Sequence, residues 1–492
     1  MGISGQRVSE TKRWEHRKQR GAGLLQIKAD EPVEKRRFAA KLITPAILGG
    51  ADNKHGDAEL RLSSIMAGLR FWWRALAWSR ILRALPDAQE AARLELLLEW
   101  HADLFGAAGG HQRPAETERE YGIGRVSARL VEFCVVGAGK RKFDDTNLGY
   151  ESVRNKNGLK YCAGQGLFKR SYEKDTEHFN RRVLGEGTWF EFELLIRGKN
   201  AGSQWLCDFD AQSTDPPTIA EAVHTFLIFG SLGARGRRGY GGLTMCTPQM
   251  ELANPLTEAQ RIIESCATPA VQHEDDLPYT CFSSFSRVLL WRKARAPAAT
   301  AQDAHNDAGF RFLKYRGNGF WDKGQYVVAR GKKAGKIFVQ DKHWFKNMVK
   351  VARDNGQFKE KDGKNLPRRA VFGLPHHYAS PKLKQKLELP GRKSSNIRRA
   401  SPLMFKVIRL PGEDGGANEY ASLWLSMPAR FLPAAHSTFE AVVWWREKAS
   451  KKDDSKAFTV NCDVDWQVLD DFMNVLAAEE KLAAKKLAAE KR

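Results

Sequence analysis

The stretch Gly230–Leu243, GSLGARGRRGYGGL, places six glycines, three arginines and a tyrosine in one short run. Glycines tolerate positive φ and let an anion approach the main chain, and arginine forks bind phosphate oxygens bidentately. Gly233, Arg235, Gly236, Arg237, Arg238 and Gly239 have the types that such a grip needs, and Tyr240 adds an aromatic. Basic residues interleaved with an aromatic are the footprint of a single-strand nucleic-acid groove. The plainer reading is a tight, solvated helix-to-strand turn whose arginines only add solubility. Mononucleotide loops fit poorly. A Walker-type loop needs G-x-x-x-x-G-K-[ST], with Lys for the outer phosphates and a hydroxyl for Mg²⁺, and neither follows these glycines; the dinucleotide fingerprint G-x-G-x-x-G is absent too. Both motifs also run from strand to helix and use the positive end of the helix dipole. Here the order is helix, loop, strand, so an anion would have to be drawn by Arg235, Arg237, Arg238 and main-chain N–H groups.

Metal and cofactor chemistry has little support. Asp52, Asp57 and Glu59 are close enough to raise a metal-dependent nuclease, but carboxylates in a turn more often form Asx-turns or cap the next helix. His376-His377 precedes a basic run and reads as a solvent loop. The seven cysteines are an odd number, far apart, with no C-x-x-C and no zinc spacing, and read as reduced, mostly buried thiols. No metal and no cofactor is expected.

The elements that must position the loop can be read from periodicity. A β-prone run, RRFAAKLITPAILGG, precedes a helix over about 63–85, whose Ile65, Leu69, Trp72 and Leu76 fall on one face and form core. Arg70 and Arg74 fall opposite, with Phe71 and Trp78 beside them, and Trp73 lies at the boundary. One turn apart, the two arginines suit successive phosphates or one phosphate gripped from two sides; by periodicity alone they are ordinary surface arginines. A second helix over DAQEAARLELLLEWHADLFG and a β-prone GRVSARLVEFC follow. TWFEFELLIRG alternates as a half-buried strand, with Phe190, Phe192, Leu194 and Ile196 on one side. PPTIAEAVHTFLIFGSLG reads as a helix capped by Thr218 and Glu221, which hands the chain to the glycine loop and on to β-prone GGLTMCTPQ.

The order β, α, β, β, α, β predicts an α+β fold of the ferredoxin-like, RRM type, with a less regular repeat of the theme in the second half. The expected organisation is a basic arm at 1–35, mobile or ordered only by a partner; a first ferredoxin-like domain at 36–252; a linker at 253–280; a second ferredoxin-like domain at 281–475; and a charged helical tail at 476–492. Large basic insertions complete the expectation: 137–187, read as lacking a regular element, and the basic, glycine-rich 293–400.

Lys plus Arg total 80 against 58 Asp plus Glu, a formal charge of +22. That field favours a polyanionic partner, nucleic acid before anionic membrane. No apolar run is long enough to span a bilayer and the N-terminus has no signal-peptide core, so a cytoplasmic protein without a membrane partner is expected.

Three stretches carry a resemblance. ITPAILGGADNKHGDAELRLSSIMAGLRFWWRALAW resembles the N-terminal signature of the first-subunit family of the Cmr complex, the type III-B CRISPR effector. FGSLGARGRRGYGGL resembles the arginine-bearing glycine loop of that family and, more loosely, of the RAMP superfamily that contains it; RRASPLMFKVI is similar to a further stretch of the family. The resemblance implies a double ferredoxin-like, non-catalytic RNA-binding subunit. It would hold the 3′ region of the guide RNA (crRNA) beside other RAMP subunits and assist capture of target RNA in antiviral defence. Carried over by position, Arg70, Trp73 and Arg74 match the helix signature, and Gly233, Arg235, Gly236, Arg237, Arg238 and Gly239 match the loop. The chain departs from the pattern at Met66, where the family carries a lysine. Trp73 would stack on a base or on a neighbouring subunit. Lys54 and His55, in the loop before the helix, complete the candidate RNA contacts. Some RAMP proteins are metal-independent endoribonucleases in which a histidine activates the 2′-OH, which makes guide processing by His55 the alternative.

Overall fold

The computed structural model describes residues 33–48, 59–106, 124–134, 156–164, 168–171, 176–179, 183–197, 209–245, 254–292, 298–318, 320–322, 325–328, 332–333, 341, 366–373, 376–379, 383–388, 400–410, 419–431, 438–447, 454–461 and 464–490. The basic arm lies almost wholly outside these residues. The first half runs β1 (Val33–Leu42), α1 (Leu62–Ala84), α2 (Glu90–Phe105), β2 (Val126–Cys134), α3 (Asn157–Ala163), β3 (Phe168–Ser171), β4 (Thr176–Phe179), β5 (Trp189–Arg197), α4 (Ile219–Phe229) and β6 (Leu243–Met245). The second runs α5 (Pro255–Cys266), β7 (Arg287–Trp291), α6 (Ala301–Asn318), β8 (Phe320–Asp322), β9 (Gln325–Val328), β10 (Lys332–Lys333), β11 (His376–Ala379), β12 (Leu383–Glu388), β13 (Leu403–Leu410), β14 (Glu419–Ser426), β15 (Thr438–Glu447), β16 (Asp454–Asn461) and α7 (Gln467–Glu490).

The first sheet is antiparallel, in the order β2-β5-β1-β6. With α1 and α2 joining its first two strands and α4 joining its last two, this is the ferredoxin-like arrangement. Alternation on β5 works as read: Phe190, Phe192, Leu194 and Ile196 are buried, and Phe192 stacks on its cross-strand partner Phe38 at 5.2 Å. The α4 cap also holds. Thr218 accepts from the Glu221 N–H while Glu221 accepts from the Thr218 N–H, and the same carboxylate forms a buried ion pair with Arg80 of α1.

With β8–β12 and β15–β16 set aside as intervening strands, the second half contains β7, α6, β13, β14 and α7 in β-α-β-β-α order, and its sheet order is β13-β14-β7. Those are three strands of the same arrangement in their corresponding places, with the fourth unfilled among the described residues. A further antiparallel sheet, β11-β12-β15-β16, was not foreseen. The larger hydrophobic core is continuous from β1, β5, α1, α2 and α4 through α5 to β13 and β14, so the two halves share one interior. Among the described residues no helix is long and apolar enough to cross a membrane.

Three expectations are corrected. The presumed linker 253–280 contains α5, capped by Asn254 and burying Ala259, Ile262 and Cys266; its apolar stripe is narrow and its other faces are charged. The insertion 137–187 supplies α3 and the β3–β4 hairpin, and 293–400 supplies α6, with Ala301, Ala304, Ala308, Phe312 and Tyr315 buried. α3 and α6 meet backbone to backbone at Gly158 and Gly309: a Cβ on Gly309 would stand 2.5 Å from the Gly158 carbonyl oxygen. Small residues at a helix contact leave little hydrophobic signal in a sequence.

Candidate nucleic-acid interface

The glycine loop leaves the end of α4 and is tied to the first sheet by its own main chain. The Leu232 N–H donates to the Gly241 carbonyl at 2.9 Å, and the Ala234 and Gly241 N–H groups donate to the Ile47 and Pro45 carbonyls, each at 2.8 Å. Thr44 Oγ1 accepts from the Gly242 N–H and donates to the Gly239 carbonyl. Between these ties, Arg235–Arg238 forms a turn closed by the Arg238 N–H on the Arg235 carbonyl at 2.8 Å. Gly239 has φ of 84°, and a Cβ there would lie 2.4 Å from the Phe405 ring and 2.8 Å from His305, so both conformation and space require glycine.

The inner limb of the loop faces the second half. Arg238 pairs with Phe405 of β13, and the Arg237 carbonyl accepts from the Phe405 N–H at 3.3 Å. The Arg238 carbonyl accepts from His305 Nε2 of α6 at 2.7 Å. The Arg237 guanidinium donates to the Ser401 carbonyl and lies over the Phe71 ring, while that of Arg238 lies 4.2 Å from the Phe312 centroid. Tyr240 is fully buried: its hydroxyl donates to the Leu159 carbonyl at 3.0 Å and its ring packs on His305 at 4.5 Å. Tyr240 therefore cannot stack on a base. Burial, opposed by the hydrogen bond to the Arg238 carbonyl, pushes His305 down to about 4.

The outer limb is different. Gly233, Ala234 and Arg235 are exposed. Arg235 is the only described residue other than glycine with positive φ, at 64°. An L-residue in that region is strained by about 1 kcal/mol or more, and such strain clusters where a side chain must be presented.

The negative end of α4 is met by a buried lysine. Lys406 of β13, only 3% exposed, donates its Nζ to the Leu227 carbonyl in the last turn of α4, and burial lowers its ammonium to about 7. Sequence reasoning missed this lysine because FKVI reads as an ordinary strand.

The signature helix does not present the face that was expected. Trp73 is fully buried, donates Nε1 to the Pro217 carbonyl at 2.6 Å and packs edge-on against Phe105. It stacks on neither a base nor another subunit. Trp78, assigned to the solvent side, is 1% exposed, because α1 packs against helices on several sides. Arg70 and Arg74 are half-buried against α2. Arg70 donates to the Phe105 carbonyl at the C-terminal end of α2, and Arg74 lies 3.4 Å from His101 Nε2. Guanidinium groups at a helix C-terminus suit its negative dipole. Burial, then the charges of Arg74 and Arg70, push His101 down to about 4, so it is neutral at pH 7 and accepts from Arg74. Met66 is half-buried on α1. Lys54, His55, Asp52 and Asp57 lie outside the described residues.

The arrangement is thus an exposed glycine–arginine tip on a base hydrogen-bonded to both halves of the chain. No curated protein matches the sequence. Residues 39–244, which hold most of the first sheet, α1, α4 and the entire loop, match the family model of the RAMP superfamily.

Proposed function

We propose that this chain is a non-catalytic RNA-binding subunit of a type III-B CRISPR effector, the Cmr complex, holding the 3′ region of the guide RNA and assisting target capture beside other RAMP subunits. The observation that carries the RNA reading is Arg235, exposed and held at positive φ on a tip of small residues whose base is fastened to Pro45 and Ile47, just after β1, and to β13. The superfamily match over the region containing that tip supports it, as do the resemblances of the signature helix and of RRASPLMFKVI. A phosphodiester can reach the exposed tip at Gly233–Arg235 and receive a bidentate fork from Arg235. No proton transfer is assigned to any residue.

The test is crosslinking of the copurified complex with the crosslinked nucleotide mapped. Crosslinks from the loop to the guide's 3′ region are expected, and crosslinks to its 5′ end would overturn the placement. The purified chain should bind RNA with a steep salt dependence and leave it intact. Cleavage of repeat RNA that His55→Ala abolishes would replace this reading with the processing enzyme.

A further inference from the structure

Beside the outer limb, α3 and α6 bring further groups of one kind together. Tyr161 and Phe312 pack edge-on at 5.7 Å, and Arg316, one turn beyond Phe312 on α6, donates Nη1 to the Tyr161 hydroxyl at 3.2 Å. The opposite limb of the loop places the Arg238 guanidinium over Phe312 at 4.2 Å. The Arg235 guanidinium packs on Gly164, the residue just past α3, where a Cβ would stand 2.9 Å from Nη2. The ionisable groups that act on Arg238 are Tyr161, Arg316, Cys162 and Arg235. Three guanidinium groups, two from the loop and one from α6, therefore gather near the α3 segment that carries Tyr161. Arg316 and Tyr161 are half-buried and Arg235 is exposed, so the cluster is open to a ligand at its outer side.

We propose that Arg316 and the Tyr161 hydroxyl form a phosphate-binding subsite beside Arg235, with Arg238 behind them, and that it takes a phosphodiester of the RNA strand next to the one held at the loop tip. Burial, with the neighbouring guanidinium groups adding to it, lowers Arg238 to about 10. The aromatic packing fixes the stems of Arg238 and Arg316, the latter with its guanidinium 5.8 Å from the Phe372 ring, so little side-chain freedom is lost on binding. The inference rests on the RNA-binding reading and extends it to residues 156–164 and 301–318, beyond the span that matches the superfamily in the second case.

The experiment titrates an unstructured single-stranded RNA against the purified full chain over a range of salt. Arg316→Met removes the charge while keeping an apolar stem over Phe372. It should weaken binding about tenfold and lower the slope of log K against log salt by about 0.7, the value of one single-strand phosphate. Arg316→Lys should keep the slope and lose part of the affinity, and Tyr161→Phe should weaken binding with the slope unchanged. Circular dichroism and thermal melts establish that each variant is folded. Should Arg316→Met fail that control, a wild-type affinity in both Arg316→Lys and Tyr161→Phe would overturn the subsite. Wild-type slope and affinity in folded Arg316→Met would overturn it while leaving the proposed function standing. A wild-type chain that does not bind RNA would overturn both. Melts in inorganic phosphate against chloride of equal ionic strength separate the sources: stabilisation by phosphate that Arg316→Met removes, together with an unchanged RNA slope, would assign the site to free phosphate and overturn the strand.

Discussion

Two limbs of one loop are built from the same residue types and meet different surroundings. At Gly233–Gly236 the main chain turns outward and Arg235 is exposed in a left-handed conformation; at Arg237–Gly241 the arginines lie over phenylalanine rings, their carbonyls are taken by β13 and α6, and Tyr240 is sealed inside. Charge composition treats the three arginines alike. Their partners separate them: Arg237 and Arg238 join the two halves of the protein, and Arg235 is what the joint presents. An exposed cation costs little stability and gives a ligand its charge, whereas a half-buried one contributes packing that its removal forfeits.

Substitutions can break that contrast, the most damaging first. Gly239→Ala should destabilise the fold by about 3 kcal/mol, from the positive φ and the collision with Phe405 and His305, read as a shifted midpoint in urea. Arg238→Ala should cost about 2 kcal/mol, since it uncovers Phe312. Arg235→Gly should instead leave stability unchanged or raise it by up to about 1 kcal/mol while weakening RNA about tenfold. Equal losses of stability in Arg235→Gly and Arg238→Ala would erase the distinction between the limbs. The smallest effect is the pH dependence of the inner limb. His305 titrates near 4 in the folded chain and near 6.5 once unfolded, so the unfolded chain binds more protons between those values. The contribution is complete above about pH 6.5 and is lost as pH falls toward 4. His305→Gln, which can still donate to the Arg238 carbonyl, should reduce the change in urea midpoint between pH 7 and pH 5. His101 and His224, both lowered by burial, act in the same direction, and Glu186, which burial raises to about 7, opposes them.

Local patterns account for the parts that the sequence makes legible. β5 alternates, α4 carries its capping box, and the first sheet's order follows from its elements. Helix α1 shows where a single-face reading stops. Ile65, Leu69, Trp72 and Leu76 are buried as expected, but so are Trp73 and Trp78 beside them, because α1 packs between other helices. A periodicity argument finds one buried stripe and cannot find a second made by a distant segment. The same limit hid the site's partners. Leu159, His305, Ser401 and Phe405 touch the loop from far along the chain, and nothing in GSLGARGRRGYGGL foretells them. α6 went unread because alanine and glycine fill much of its contact face.

The loop's inner limb also sets an order of events during synthesis. Arg237 donates to Ser401, 164 residues further on, and the pairing with Phe405 comes later still. While the ribosome is still making the second half, the nascent chain holds the arginines of the loop without the strand that fastens them. Chains fold as segments emerge, and contacts that span long separations close last. The fastened loop is therefore assembled only after β13 has emerged, so a ribosome stalled before that point carries a loop that is complete in sequence and unfinished in shape.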